Sequence, residues 1–161
     1  NDRYMTARAA LQIQNVGNGA GSRLTLRISD KAEVSAVRVN EATATFSKGE
    51  ERLTATRNLQ RTIVNLPSIA PNGTFNVTVE YRLKVDENSG VGAFSSTGAQ
   101  FLPLAFWYPT PASQLAARGA DFAPFTLNIT SSLETVVSSG AQTGTNFNQT
   151  LNGQPFFVAG Q

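Results

Sequence analysis

The stretch Thr74-Phe75-Asn76-Val77-Thr78-Val79-Glu80-Tyr81-Arg82-Leu83-Lys84-Val85 alternates apolar and polar side chains without a break. Phe75, Val77, Val79, Tyr81, Leu83 and Val85 share one parity, and Thr74, Asn76, Thr78, Glu80, Arg82 and Lys84 share the other. Period two is the mark of a strand with one buried face and one wet face. The alternation recurs at Leu24, Leu26, Ile28 and at Phe125, Leu127, Ile129. Between Val34 and Val39 the apolar parity slips from even to odd positions, which predicts a bulge.

Turn-forming residues punctuate these runs. They occur at Gly17-Asn18-Gly19-Ala20-Gly21, Lys48-Gly49, Pro71-Asn72-Gly73, Asn88-Ser89-Gly90, Ser139-Gly140 and Asn152-Gly153. Short strands at this spacing, with no helical period between them, predict an all-β fold: an antiparallel β-sandwich or saddle-like sheet. Only Ala112 to Ala120, following Pro111, has room for one or two helical turns. No linker or internal repeat divides the chain, so residues 1–161 read as a single β-domain, one piece of a longer multidomain chain.

Composition narrows the function classes. The 161 residues are enough to bury a core without disulfides or metals. Charged residues make up 15%, against about a quarter in an ordinary domain. A surface covered by hydroxyls and amides favours an extracytoplasmic setting. The net charge of +2 is carried by singly scattered basic residues such as Arg3, Arg8, Arg23 and Arg38, with no basic cluster interleaved with aromatics, so nucleic acid is not an expected partner. No run is long enough for a transmembrane helix, and no membrane contact is evident. The absence of cysteine fits cytosol or a bacterial periplasm.

The chain has no histidine, which excludes an HExxH zinc motif and a Ser-His-Asp triad within it. Ser47 and Lys48 are adjacent, hence on opposite faces of any strand, and they precede what reads as a turn glycine. Glu50-Glu51 and Asp86-Glu87 read as turn-flanking carboxylates in polar surroundings, where nothing would raise a pKa. Asp86-Glu87-Asn88-Ser89-Gly90 echoes a calcium loop but lacks the downstream bidentate acid. The residues therefore point to no catalytic or metal site in this chain, and to no cofactor of its own.

The densest aromatic cluster is Gln100-Phe101-Leu102-Pro103-Leu104-Ala105-Phe106-Trp107-Tyr108-Pro109, an uncharged run holding the only tryptophan. Phe101, Phe106, Trp107 and Tyr108 could form a stacking platform for a sugar, plug one end of a core, or face a neighbouring domain.

Several segments taken together resemble the N-terminal domain of M1-family zinc metallopeptidases, the family of membrane alanyl aminopeptidases. Tyr4-Met5-Thr6-Ala7-Arg8-Ala9-Ala10-Leu11-Gln12-Ile13 looks like that domain's first strand. Val37-Arg38-Val39-Asn40, followed by Glu41, looks like its V-x-V-N-G hairpin. Leu66-Pro67 and Ala70-Pro71-Asn72-Gly73, leading to Val79-Glu80-Tyr81, resemble its L-P … L-x-x-G … V-x-Y passage. Pro124-Phe125-Thr126-Leu127-Asn128-Ile129, Val136-Val137-Ser138-Ser139-Gly140 and Gln154-Pro155-Phe156-Phe157-Val158-Ala159-Gly160 match later passages in the same order.

The resemblance implies a saddle-like β-domain capping a separate catalytic domain, which would hold the zinc. It also implies a loop that enters the substrate cleft, reading roughly Gln-x-Glu in the family, whose acid binds the substrate's α-amine. That loop falls on Gln100-Phe101-Leu102-Pro103. Gln100 matches. Leu102 stands at the acid's place, and leucine cannot pair with an ammonium group. The departure points to a divergent branch of the family.

The leading expectation is a non-catalytic N-terminal domain of a bacterial M1-like metallopeptidase. In that reading Gln100, Phe101, Leu102, Phe106, Trp107 and Tyr108 face the polypeptide's own C-terminal catalytic domain and its peptide substrate. The alternatives are a stand-alone glycan- or peptide-binding module using Trp107 and Tyr108, and an adhesive sandwich whose edge strands pair with a partner.

Overall fold

The computed structural model describes residues 4–84, 91–95, 97–112 and 122–160. Its strands run, in chain order, β1 (Tyr4–Gln14), β2 (Gly21–Ser29), β3 (Ala32–Val39), β4 (Ala42–Thr43), β5 (Phe46–Arg52), β6 (Asn58–Ile69), β7 (Thr74–Lys84), β8 (Gly92–Phe94) and β9 (Gly98–Phe101). After a 3-10 turn at Pro103–Ala105 come β10 (Thr110–Pro111), β11 (Ala123–Asn128), β12 (Thr135–Ser138), β13 (Ala141–Thr143), β14 (Asn146–Gly153) and β15 (Phe157–Gly160). Every strand pair is antiparallel. The fold is all-β, as the alternation predicts.

The described residues fall into two compact units. The first holds residues 4–84 and 108–112, and the second holds residues 91–95, 97–107 and 122–160.

In the first unit, one sheet has the order β1-β7-β3-β4 and the other β10-β2-β6-β5. The alternation that decides the fold class lies in the middle of the first of these. Phe75, Val77, Val79, Tyr81 and Leu83 of β7 are all buried, as are Val34, Val37 and Val39 of β3. Leu26, Ile28, Thr62 and Val64 supply the buried row of the other sheet. Burial pushes the Tyr81 phenol well above its ordinary range, and the nearby Tyr108 adds to the effect.

Irregularities sit where the sequence requires them. The β3–β7 register shifts between Val34 and Ala36, at the predicted bulge. In β6 the β2 register jumps across Leu66-Pro67-Ser68, so the proline, which has no N–H to donate, lies where the ladder is interrupted. Asn15 ties the loop after β1 to the turn before β7. Its side-chain amide donates to the Gly19 and Ile69 carbonyls at 2.9 and 3.0 Å, and its Oδ1 accepts from Gly17 N–H at 3.0 Å.

Two of the expected turns are strand residues. Lys48-Gly49 lies inside β5, where Gly49 opposes Arg61. A glycine is tolerated there because β5 is an edge strand and nothing depends on a side chain at that point. The true reversal comes later, where Leu53 N–H donates to the Arg57 carbonyl at 2.9 Å. Asn152-Gly153 closes β14, because Gly153 continues past the end of β13 to oppose Ala123 beside a bulge. Glu50-Glu51 likewise belongs to β5. Far from flanking a turn, Glu51 is half-buried and bridges Arg27 at 2.8 Å. The Asn88-Ser89-Gly90 turn, the Asp86–Gly90 calcium-like loop and the 113–120 part of the helical segment lie outside the described residues.

Candidate functional site

The second unit pairs β11-β14-β13 in one sheet and β12-β15-β9-β8 in the other. Strand β9 is central in the latter, and its four residues set the geometry of the uncharged aromatic run. Phe101 opposes Phe157 of β15 and Gly92 of β8, while Gln100 opposes Val158 and Ala93. Opposed residues share a face, so Phe101 points inward with Phe157, and Gln100 points outward with the exposed Val158 and Val137.

Beyond β9 the chain reverses within a few residues. Leu102 is extended, and its N–H donates to the Val91 carbonyl at 2.8 Å. Pro103 opens the 3-10 turn, where its fixed φ suits the first position. Phe106 ends the turn in the left-handed region at φ 52°, with its N–H on the Pro103 carbonyl at 3.0 Å. That conformation is uncommon for a bulky side chain and costs about 1 to 3 kcal/mol. It is held because the next residue is anchored. Trp107 is 4% exposed, edge-on to Phe157 at 5.4 Å and tilted to Phe101 at 6.2 Å, while Phe101 stacks on Phe157 at 5.0 Å.

The six candidate residues differ in burial and in the unit that holds them. Phe101, at 0% exposure, and Trp107 are core. Gln100, Leu102 and Phe106 are half-buried. Tyr108 belongs to the first unit, where the following Thr110 and Pro111 pair with Arg27 and Leu26 of β2. A stacking platform built on Trp107 has no free ring face to offer. Two residues that matter were missed. Phe157 completes the ring cluster, and it lies far off in sequence, so only strand pairing brings it to Phe101. Leu104, 66% exposed at the turn's apex, is the segment's most prominent apolar group.

The segment's one titratable side chain is the Tyr108 phenol, and it carries no carboxylate, amine or imidazole. Two further acids of the first unit, besides Glu51, are ion-paired. Glu33 bridges Arg82 at 2.6 Å, and Arg82 lies over the Tyr4 ring at 4.4 Å. Glu80 bonds Arg38, and its negative charge raises the guanidinium's pKa further. No three His, Cys, Asp or Glu side chains among the described residues come together to hold a metal, and the chain has no histidine or cysteine.

No family model matches the sequence, and no curated protein matches it either. Solved structures do match. Yeast LTA4 hydrolase in complex with bestatin superposes with a TM-score of 0.69 and 20% identity, covering 98% of this chain and 26% of the enzyme. A two-domain M1 zinc metallopeptidase bound to L-arginine superposes at 0.68 and 15% identity, covering 98% of this chain and 38% of that one. The fold is that of an M1 N-terminal β-domain. Native yeast LTA4 hydrolase matches at 0.69 and 19% identity, over the same 98% and 26%. The chain thus spans about a quarter of the length of the yeast enzyme. At these identities the likeness is one of fold, and the ordered segments from Tyr4 to Gly160 that resemble the M1 domain lie along it.

Proposed function

We propose that this chain is the non-catalytic N-terminal domain of an M1-like zinc metallopeptidase, packing on a catalytic domain of the same polypeptide and helping to line its peptide cleft. The observation that carries the reading is the match over 98% of this chain to a minor part of much longer M1 proteins. Zinc and the peptide-cleaving groups would belong to that other domain. Within this chain the contributing residues would be the outward-facing Gln100, the half-buried Leu102 and the exposed Leu104, an uncharged, mostly apolar edge suited to packing and to excluding water. With Leu102 in the acid's place, the edge would bind substrate side chains or backbone instead of the α-amine.

The test uses the product of the full-length gene and a matched pair of peptides, one with a free α-amine and one N-acetylated. Gln100→Ala should raise KM for both. Leu102→Glu should improve kcat/KM for the free amine over the acetylated peptide by about tenfold, the worth of one new charge-assisted hydrogen bond. A gene product with no metallopeptidase domain beside this segment overturns the reading. So do unchanged kinetics in both variants.

A further inference from the structure

Among the described residues, strand β1 is the outermost strand of its sheet, with β7 as its one neighbour. Which of its backbone groups face outward follows from the ladder. Asn15 N–H donates to the Gly73 carbonyl, and Asn40 N–H, on the other side of β7, donates to the Asn76 carbonyl. The odd residues of β7 therefore bond toward β1 and the even ones toward β3. By the β1–β7 register, odd β1 residues are the bonded ones, and Thr6, Arg8, Ala10 and Gln12 turn their N–H and C=O groups to the open side.

Such an edge is normally blunted by shortness, charge, proline or a bulge. The other edges of the sheets in this chain follow that rule. β4 and β10 are two residues long, and β10 contains Pro111. β5 carries Lys48, Glu50, Glu51 and Arg52 among seven residues. β11 has Pro124 and a bulge, and β8, β12 and β13 are three or four residues long. β1 has 11 residues, no proline, no register shift and a single charge, Arg8. Its core-facing residues Met5, Ala7, Ala9, Leu11 and Ile13 are only half-buried, whereas their β7 partners are fully buried.

We infer that β1 is a homodimerisation edge, pairing antiparallel with β1 of a second copy about a two-fold axis through Ala9. This one register meets four conditions at once. The midpoint of Tyr4–Gln14 is Ala9, so the whole strand overlaps. Outward-facing even residues meet outward-facing even residues, Arg8 with Ala10 and Thr6 with Gln12 of the other copy, which completes about a dozen hydrogen bonds. Apolar Met5 meets Ile13, and Ala7 meets Leu11, covering the half-open row. Arg8 is set opposite alanine and not opposite its symmetry mate. A two-fold interface must satisfy all of these with one surface.

The experiment is sedimentation of the 161-residue chain over a wide concentration range, with crosslinking. In this register Ala9 lies opposite itself in a non-hydrogen-bonded pair about 4.5 Å apart at Cα, within disulfide reach. Ala9→Cys should therefore crosslink to a dimer under mild oxidation in this otherwise cysteine-free chain, while Ala7→Cys should not. Ala10→Pro removes only an outward N–H, so it should leave a folded monomer. Should the proline unfold the chain, charge provides a second test. Ala10→Glu, facing Arg8 of the other copy, should tighten the dimer by about two- to tenfold, and Ala10→Lys should loosen it by as much. A wild-type chain that stays monomeric at high concentration overturns the inference. So does equal crosslinking at Ala7 and Ala9, or association that neither charge variant alters.

Discussion

The two compact units reach a buried core by different means. The first is held by long ladders: β1 and β7 run together for 11 residues without a register shift, and β2, β3, β5 and β6 add further long pairings. Its buried side chains are mostly Val, Leu and Ile, spread evenly along those strands. The second unit has mostly short strands, and its buried side chains are dominated by aromatic rings: Phe147 on one sheet, and the mutually packed Phe101, Trp107 and Phe157 around the four-residue β9. In the first unit each side chain carries a small share of the stability. In the second, losing one of these rings should cost more.

The largest expected effect follows from that difference. Phe101→Ala should cost about 3 to 5 kcal/mol, because it removes the most fully buried ring and strands its two partners. Val79→Ala, equally buried but flanked by like residues on three strands, should cost about 2 kcal/mol. Denaturant unfolding gives the totals, and amide exchange gives the place. With Phe101→Ala, protection should fall first in β9 and β15 while β7 stays protected. Equal costs for the two substitutions would erase the contrast between the units.

A turn supplies the next test. Gly140, between β12 and β13, has φ +99°, and a Cβ placed there would stand 2.6 Å from the Asn148 carbonyl oxygen. No side chain has to move; the obstacle is backbone, so the turn itself must shift. Gly140→Ala should destabilise by about 1 to 3 kcal/mol. An unchanged midpoint would mean that the second unit is more adaptable than its concentrated core suggests.

How much of this was readable in the sequence follows the same division. Phe75 through Leu83 sit centrally between two partners, so their alternation reports directly on burial, and the bulge at Val34–Ala36 shows as a slip of parity. The M1-like order of segments also held, since it tracks a fold that covers 98% of the chain. What failed were inferences from isolated residues. Gly49 and Gly153 looked like turns, but glycine is also tolerated at an edge and beside a bulge. Glu51 looked solvated, but its partner Arg27 is 24 residues away in sequence. For Trp107 the sequence left a core plug and a stacking platform both open; strand pairing brings Phe157 onto it, and four residues of β9 are too few for alternation to announce which face is covered.

The smallest effect should run in the opposite direction. The β3–β4 hairpin turns through Asn40 at φ 47° and Glu41 at φ 68°, so both central residues are left-handed. Asn40 belongs there, and its Oδ1 also accepts the Asn76 N–H at 2.9 Å. Glu41 does not: a two-residue hairpin of this type favours glycine in the second place, as does the V-x-V-N-G wording that this segment otherwise resembles. An L-residue in that conformation costs about 1 to 2 kcal/mol, part of which glycine returns as extra freedom in the unfolded chain. Glu41→Gly should therefore stabilise the chain by about 0.5 to 1 kcal/mol, offset slightly by losing the carboxylate's weak attraction to Arg38. Glu41→Ala should gain nothing, because it keeps the Cβ. If both substitutions stabilise equally, the relief is electrostatic and not conformational. If glycine alone does, the first unit has been tolerating a strained turn on the strength of its ladders, which the second unit, at Gly140, has no comparable ladder to do.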